Sequence, residues 1–287
     1  MSIQSLSRLA AAALISASAM GLSGCNKLKL GYEYADWFVI YSVEDNFDLD
    51  KIQTRQLKQE VADYFTWHRA RMLPLYSDYL TYVADHVRTG LRPSEIDSGY
   101  ARYRALYKMT LEPVPVKAAA LLTTLSTEQV DAWLDLQRKK NQKLRKEFSG
   151  TTEERLDHRF GKIIDELEDW TGRLSKDQRG KIKALNANLP WNGDLLVDLR
   201  ESVQEHVADL LKRKVPRAEL EEYLTRYYLQ TDSLRSADFR AKNKEFESRL
   251  SQTIYQIHNV LTPEQKRHFI QQVEKLARDF RVLSKQE

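Results

Sequence analysis

Apolar residues recur every three or four positions along most of the chain, and this spacing is the strongest constraint on its fold. Three such faces run from Leu57 to Met72, from Leu196 to Leu210 and from Phe269 to Leu283. Residues three and four apart lie on one side of a helix, so the pattern indicates amphipathic helices. We therefore predict an all-α protein.

The composition agrees with this prediction, because glycine and proline are scarce and charged residues make up 30% of the sequence. A stricter seven-residue alternation between Leu156 and Leu174 favours helices that pair nearly antiparallel, so we expect long antiparallel helical hairpins. The apolar run from Trp37 to Val43 could form a strand, but no other segment offers it a sheet partner. We interpret that run as a short helix or docking segment.

The first 24 residues are typical of an export signal. One charge at Arg8 precedes an apolar stretch from Leu9 to Met20, which is shorter than the ~20 residues that span a membrane. The tetrad from Leu22 to Cys25 resembles the lipobox of bacterial lipoproteins. This resemblance implies cleavage before Cys25, a thioether-linked diacylglycerol and acylation of the new amino terminus. The alternatives are an ordinary secretory signal or an amino-terminal transmembrane helix.

A lipid on Cys25 would anchor the protein to a membrane of the cell envelope, facing the periplasm. Asn26 follows the anchor, and by analogy with enterobacterial sorting it favours the outer membrane over the inner one.

Several classes of function are not expected. Removal of residues 1–24 takes away only Arg8 and lowers the formal charge from +4 to +3, without the basic excess typical of nucleic-acid binding. Cys25 is the only cysteine, and the six histidines match no zinc spacing, so we predict no metal and no cofactor. Nucleophile-elbow and phosphate-loop motifs are missing, and we predict no enzymatic activity, although an enzyme of unrecognised type stays an alternative.

One motif occurs four times, with leucine, then Asp, Ser or Thr, and glutamine three residues later. In these segments the side chain after leucine can cap a helix start, while the glutamine reaches back to it as a capping box. The copies are Leu49, Asp50 and Gln53; Leu125, Ser126 and Gln129; Leu174, Ser175 and Gln178; and Leu261, Thr262 and Gln265.

The spacing of the four copies suggests a tandem duplication. The members of the first pair stand 76 residues apart and those of the second pair 87, and a proline-led helix start at Pro93 or Pro216 lies within each interval. We predict a lipidated tether over residues 25–46, a helical unit over 47–149 and a second over 150–287. The alternative is four well-capped helices that happen to be spaced in this way.

The stretch Ile254–Leu276, which contains Leu261 to Lys266, resembles the carboxy-terminal motif of the periplasmic Spy and CpxP stress proteins. That family implies small helical protomers that pair into a cradle, and the function of an ATP-independent chaperone or an inhibitor of an envelope stress sensor. Four motifs in one chain then imply a monomeric pseudo-dimer. Residues 34–37 with 47–50 also resemble an uncharacterised family of proteobacterial lipoproteins.

Two surfaces are candidates for binding. Tyr100, Tyr103 and Tyr107 share a helical face near Arg102 and Arg104, a mixture that can hold partly folded client proteins; the alternative is that these tyrosines belong to the core.

A basic run that includes Arg138, Lys139 and Lys140 could meet anionic lipid, lipopolysaccharide, peptidoglycan or an acidic client, or could be an ordinary solvated face. Because Gln137 and Asn141 interrupt the apolar side of this helix, we expect that side to be partly exposed.

These patterns together predict a lipoprotein that binds periplasmic or outer-membrane proteins non-covalently, as a chaperone or as a regulator of envelope stress. The alternative is a structural adaptor that tethers peptidoglycan or an outer-membrane complex, in which the capping motifs serve folding alone.

Overall fold

The computed structural model describes residues 31–286; the predicted signal peptide and Cys25 lie outside them. Within this part of the chain the secondary structure is helical and contains no strand, which confirms the all-α class. The helices are α1 (Ala35–Phe47), α2 (Lys51–Thr89), α3 (Pro93–Leu111), α4 (Val114–Leu122), α5 (Thr127–Phe148), α6 (Thr152–Thr171), α7 (Lys176–Ala187), α8 (Gly193–Lys212), α9 (Arg217–Leu229), α10 (Ala237–Val260) and α11 (Pro263–Leu283).

The segment from Trp37 to Val43 lies within α1, so the helical interpretation of this apolar run is confirmed. Asp48 ends the helix in the left-handed conformation, with φ of 47°, and its N–H donates to the carbonyl of Glu44. Val43 and Phe47 are buried in the main core. The predicted tether over residues 25–46 therefore needs correction, because from Ala35 onwards it is part of the folded body.

The most extensive helix pair joins α2 to α11. Arg281 pairs with Asp78, and Arg88 further along α2 pairs with Glu274 nearer the start of α11, so the two helices run antiparallel. Between them lies a core cluster built on Met72, Leu73, Tyr76, Phe280 and Leu283.

A second antiparallel pair joins α5 to α8. Lys212 pairs with Asp131, and Arg145 near the other end of α5 pairs with Asp198 and Glu201. Like the pair of α2 and α11, this pair joins a helix of residues 47–149 to a helix of residues 150–287.

The main hydrophobic core consequently draws on both sequence halves. Trp133 and Leu134 of α5 belong to the same cluster as Val203 and Val207 of α8 and Leu224 of α9. A smaller cluster, built on Ile164, Leu174 and Ile182, lies under α6, α7 and the end of α10. The predicted boundary at residue 150 therefore does not separate two independent cores.

Helix contacts in the two halves follow the same plan. Matched in chain order, α1 corresponds to α6, α2 to α7 and α8, α3 to α9, α4 to α10, and α5 to α11. In this matching, the pairing of α2 with α11 corresponds to that of α8 with α5. The pairing of α3 with α10 corresponds to that of α9 with α4. Duplication stays a prediction, and this recurrence of helix pairs is the structural observation that supports it.

None of the helices between residues 31 and 286 combines the length and the apolar character needed to cross a bilayer.

The shared core predicts that the chain unfolds as one unit and that α11 is essential to it. Phe280 is buried between α11 and α2, so Phe280→Ala should cost about 3 to 5 kcal/mol of unfolding free energy. Val282 lies on the same helix but is exposed, so Val282→Ala should change stability by less than about 0.5 kcal/mol. Urea denaturation followed by circular dichroism measures both values. Equal costs for the two variants would contradict the packing of α11 described above.

Candidate functional site

Each of the four motifs forms a capping box at a helix start. Asp50 caps α2, Ser126 caps α5, Ser175 caps α7 and Thr262 caps α11. In every copy the cap side chain accepts the backbone N–H of the motif glutamine, at 2.9 to 3.2 Å. The glutamine Oε1 accepts the backbone N–H of the cap residue in return, at 2.9 to 3.0 Å.

The glutamines also meet in pairs across the fold. Gln53 donates from Nε2 to Oε1 of Gln129 at 3.1 Å, and Gln129 donates back to Gln53 at 2.8 Å. Each amide donates a further hydrogen bond to a backbone carbonyl just before the partner motif: Gln53 to Thr124 at 2.9 Å and Gln129 to Asp48 at 2.7 Å. The start of α2 is therefore tied to the start of α5.

The second pair repeats this geometry. Gln178 donates to Gln265 at 2.7 Å, and Gln265 donates back at 3.2 Å. Their remaining bonds go to the carbonyls of Val260 and Arg173, at 2.9 and 3.0 Å. Leu174 and Leu261 pack in the small cluster with Ile164 and Ile182, so the leading leucines of these motifs lie in that cluster.

The requirement for glutamine follows from the amide group. Its oxygen completes the capping box, while its NH₂ donates across to the other helix start, which a carboxylate cannot do. Thr151 and Glu154 at the start of α6 make an ordinary capping box of their own, with a carboxylate in the last place. The caps were predicted from the sequence but the pairing was not, although glutamine in all four copies was a signal for it.

On the tyrosine face of α3, the structure brings the predicted residues into a row. Tyr100 stacks on Tyr103 with ring centroids 6.4 Å apart, and Tyr103 lies 6.3 Å from Tyr107. Tyr103 is 36% exposed, whereas Tyr107 packs against the main core. Burial raises the pKa of Tyr103 above its ordinary value, with a smaller contribution from Tyr107, so its hydroxyl is protonated at neutral pH.

The two arginines of this face differ in their contacts. Arg104 forms an ion pair with Glu247 of α10 at 3.1 Å, and the Tyr100 hydroxyl donates to the same carboxylate at 3.4 Å. Arg102 places its guanidinium 4.3 Å from the ring centre of Tyr82 on α2, and it is exposed. Tyr103, Arg102 and Arg104 are thus the accessible residues of the predicted surface, and of these Arg104 is paired with Glu247.

The basic run on α5 is largely matched by acids and amides of the same protein. Arg138 donates from Nε and Nη2 to the two carboxylate oxygens of Glu205, at 2.9 and 3.1 Å. Lys140 donates to Asn46 of α1 at 3.0 Å, and Lys139 is exposed. These contacts give Arg138 a role in joining α5 to α8 and Lys140 a role in joining α5 to α1.

The expected exposure next to this run is wrong. Gln137 is 0% exposed and Asn141 is also buried, because α8 and α1 supply polar partners. Gln137 donates to Asn46 at 2.9 Å and accepts from Gln204 at 3.2 Å, and Asn141 donates to Gln204 at 2.7 Å. Buried amides are retained where they are hydrogen-bonded, so the seam between α5 and α8 has a polar centre.

A second buried polar cluster surrounds His68 on α2. Its Nδ1 lies 2.9 Å from the Tyr32 hydroxyl and its Nε2 lies 3.2 Å from that of Tyr76, which in turn contacts Thr110. Burial lowers the pKa of His68 to about 4 and raises that of Tyr76 to about 12. The ring is therefore neutral at pH 7, with one nitrogen donating and the other accepting.

An apolar cavity of about 140 Å³ opens beside this cluster, among α1, α2, α4 and α9. Val43, Phe47, Phe65 and Leu224 contribute to its walls. Cavities of this size accept a single small apolar group. Among residues 31–286 there is no group of three or more His, Cys, Asp and Glu residues arranged to bind a metal ion.

Comparison with known protein families gives one match. The family of unknown function DUF6279 matches residues 45–240, about two thirds of the chain. The chain belongs to this family. No curated protein and no solved structure matches it.

The DUF6279 match contains the first three capping motifs and the buried amides of α5 and α8, and it ends near the start of α10. The motif at Leu261 and all of α11 lie beyond it. Gln178 is thus inside the DUF6279 match while its partner Gln265 is outside.

We predict that the paired glutamines are energetically coupled. Gln178→Ala and Gln265→Ala should each cost about 2 kcal/mol, because each removes the hydrogen bonds between the two buried amides, the bond that closes its own capping box and the bond to a backbone carbonyl. The double variant should cost less than the sum of the two, by about 1 kcal/mol or more. As control, Gln129→Ala combined with Gln178→Ala, from different pairs, should be additive within about 0.5 kcal/mol. Urea denaturation of these variants and of the single variant Gln129→Ala gives all five values; additivity within the pair would reduce the motifs to simple caps.

The burial of neutral His68 predicts a loss of stability in acid. The unfolded histidine takes up a proton near pH 6.5 and the folded one only near pH 4, so its contribution is complete above pH 6.5 and falls as the pH decreases towards 4. The loss of unfolding free energy should reach about 3 kcal/mol. In His68→Gln the unfolding free energy should depend less steeply on pH, because the variant takes up one proton fewer on unfolding. His158→Gln, at an exposed histidine, is the control. Parallel profiles for wild type and His68→Gln would contradict this prediction.

Proposed function

We propose that this chain is a lipoprotein of the bacterial envelope that binds other proteins non-covalently and without catalysis. It acts as an ATP-independent chaperone or as a regulator of envelope stress, and Cys25 anchors it on the periplasmic side of a membrane, the outer one by the identity of Asn26. The observation that carries the binding role is the accessible pair of Tyr103 and Arg102 on α3.

This surface has the chemistry that a partly folded protein requires. The Tyr103 ring offers apolar contact and its protonated hydroxyl offers a hydrogen bond. The guanidinium of Arg102 is held beside Tyr82, so it offers a positively charged plane in a defined place. A shallow face of this kind binds a client through apolar contact and charge. It releases the client once that client has buried its own apolar residues.

The capping glutamines support the likeness to Spy and CpxP. One glutamine pair lies in each sequence half, and the helix pairings of the two halves follow the same plan. This arrangement fits a pseudo-dimer of two Spy-like units within one chain.

The chaperone role predicts suppression of client aggregation in solution. Residues 25–287, which contain every residue that the structure describes, should slow the aggregation of an unfolding client at near-stoichiometric ratios and without ATP, as measured by light scattering. Tyr103→Ser should reduce this effect at least threefold. Because Tyr103 is partly exposed, the variant should remain folded, which circular dichroism checks.

Ile52→Ser is the matched control, since it removes an exposed apolar side chain of α2 by the same substitution. Equal suppression by Tyr103→Ser and wild type would remove α3 as the binding surface. No suppression by the wild type would contradict the chaperone role and favour the structural adaptor.

A further inference from the structure

Helix α1, close to Cys25 in the chain, exposes a cluster of aromatic side chains. Tyr34 just before α1 is 62% exposed, and Trp37 and Tyr41 in α1 are 58% and 54% exposed. Phe38 is exposed beside them, and the rings of Trp37 and Tyr41 stack with centroids 5.5 Å apart. These four residues, spaced three to four apart, form one face, which we call the α1 aromatic face.

This face is large for an apolar surface on a water-soluble body. The four rings together expose on the order of 400 Å², the range in which an apolar patch marks an interaction site. The opposite side of α1 is already occupied, because Val43 and Phe47 lie in the main core. The α1 aromatic face therefore has no part in holding the helix in place.

The matching helix of the second half shows that the fold does not require aromatic residues there. Helices α1 and α6 each precede a capping motif, and each ends at a residue of positive φ, Asp48 or Gly172, whose N–H bonds to the carbonyl four residues earlier. When their last residues, Phe47 and Thr171, are aligned, the positions of the α1 aromatic face correspond in α6 to His158, Gly161, Lys162 and Asp165.

The position of the face relative to Cys25 indicates what it contacts. Eight residues lie between Cys25 and Tyr34, and a fully extended chain over these nine steps spans about 30 Å. If Cys25 is held in a bilayer, as the proposed function states, the face stays within that distance of the lipid headgroups. Such a short link gives a millimolar effective concentration, so even weak affinity is sufficient for contact.

The chemistry of the face fits the headgroup region of a bilayer. Tyrosine and tryptophan prefer this layer because the ring lies among apolar groups while the OH or N–H stays hydrated. The exposed stripe continues along α1 into Asp45 and then Asp48, so its aromatic end is the end nearer to Cys25 and its acidic end points away along the chain. Between Gly31 and Asp50 there is no lysine or arginine, so no basic side chain of α1 takes part in the contact.

From these observations we propose that the α1 aromatic face lies in the headgroup interface of the membrane that carries the Cys25 anchor. The proposal rests on the anchor in the proposed function. It makes α1 a second membrane contact, which sets the orientation of the helical body relative to the bilayer.

The test uses the single cysteine to supply the anchor chemically. Residues 25–287 are coupled through the Cys25 thiol to a maleimide lipid in phosphatidylcholine vesicles, with and without bromine on the acyl chains near the headgroups. The contribution of Trp37 to the tryptophan fluorescence is the difference in emission between the wild type and Trp37→Phe. Brominated lipid should decrease this contribution at least twofold, at low and at high salt alike, and aqueous acrylamide should quench it less than in the untethered protein.

Variants that copy α6 provide the sharpest control. The double variant Phe38→Lys with Tyr41→Asp places in α1 the residue types found at Lys162 and Asp165 of α6. Because α6 is helical with these residues, the variant should keep its helix. It should abolish the quenching of Trp37 by brominated lipid. Ile52→Asp, at an exposed position outside the face, should leave it unchanged. Trp170→Phe, which removes a tryptophan of α6, should leave unchanged both the loss of quenching in the double variant and its persistence in Ile52→Asp.

The proposal would be overturned if acrylamide quenched Trp37 fully and brominated lipid did not quench it. The α1 aromatic face would then be assigned to a protein partner. Chemical coupling makes this result independent of the cell's own lipidation. The mass of Cys25-containing peptides from protein isolated from its native cells tests the anchor separately, and client aggregation in solution tests the chaperone role without any vesicle.

Discussion

The two side chains of each glutamine pair make six hydrogen bonds, and the arrangement of the helices depends on them. The amide oxygens close the capping boxes, and the amide nitrogens cross to the partner glutamine and to a backbone carbonyl. A helix start leaves N–H groups unbonded, so a side chain that bonds them and also reaches a second helix start fixes two chain ends together. Gln53 and Gln129 do this for α2 and α5, and Gln178 and Gln265 do it for α7 and α11.

From these junctions the helices diverge to partners in the other half of the chain. Helix α2 packs along α11, and α5 packs along α8, so each sequence half completes its core with helices from the other. Charged pairs follow the outer edges of both seams, but exposed pairs of this kind contribute little each. Buried apolar side chains such as Trp133 and Phe280, together with the hydrogen-bonded amides around Gln137, provide the greater part of the packing.

The two surfaces proposed for binding differ in how they depend on this body. Packing against α2 and α10 positions Tyr103 and Arg102. Arg102 lies beside the ring of Tyr82 in α2, and the neighbouring Arg104 pairs with Glu247 in α10. The α1 aromatic face is exposed on a helix whose other side is fixed in the core, and its closeness to Cys25 in the chain is the basis of the proposed membrane contact. One body can therefore present a client-binding face and a membrane face at the same time.

The helices, their starts and the cap residues were predictable from local sequence alone, since these depend on contacts between residues three or four apart. The same local reasoning placed Tyr100, Tyr103 and Tyr107 on one face. The packing of the helices was needed to show that Gln53 meets Gln129, that Gln137 and Asn141 are buried and that His68 lies between two tyrosines. Those contacts join residues that are distant along the chain, and local periodicity carries no information about which helix supplies the partner. The merging of the two predicted units into one core has the same cause, because the pairing of α2 with α11 is settled by side-chain fit between the two ends of the chain.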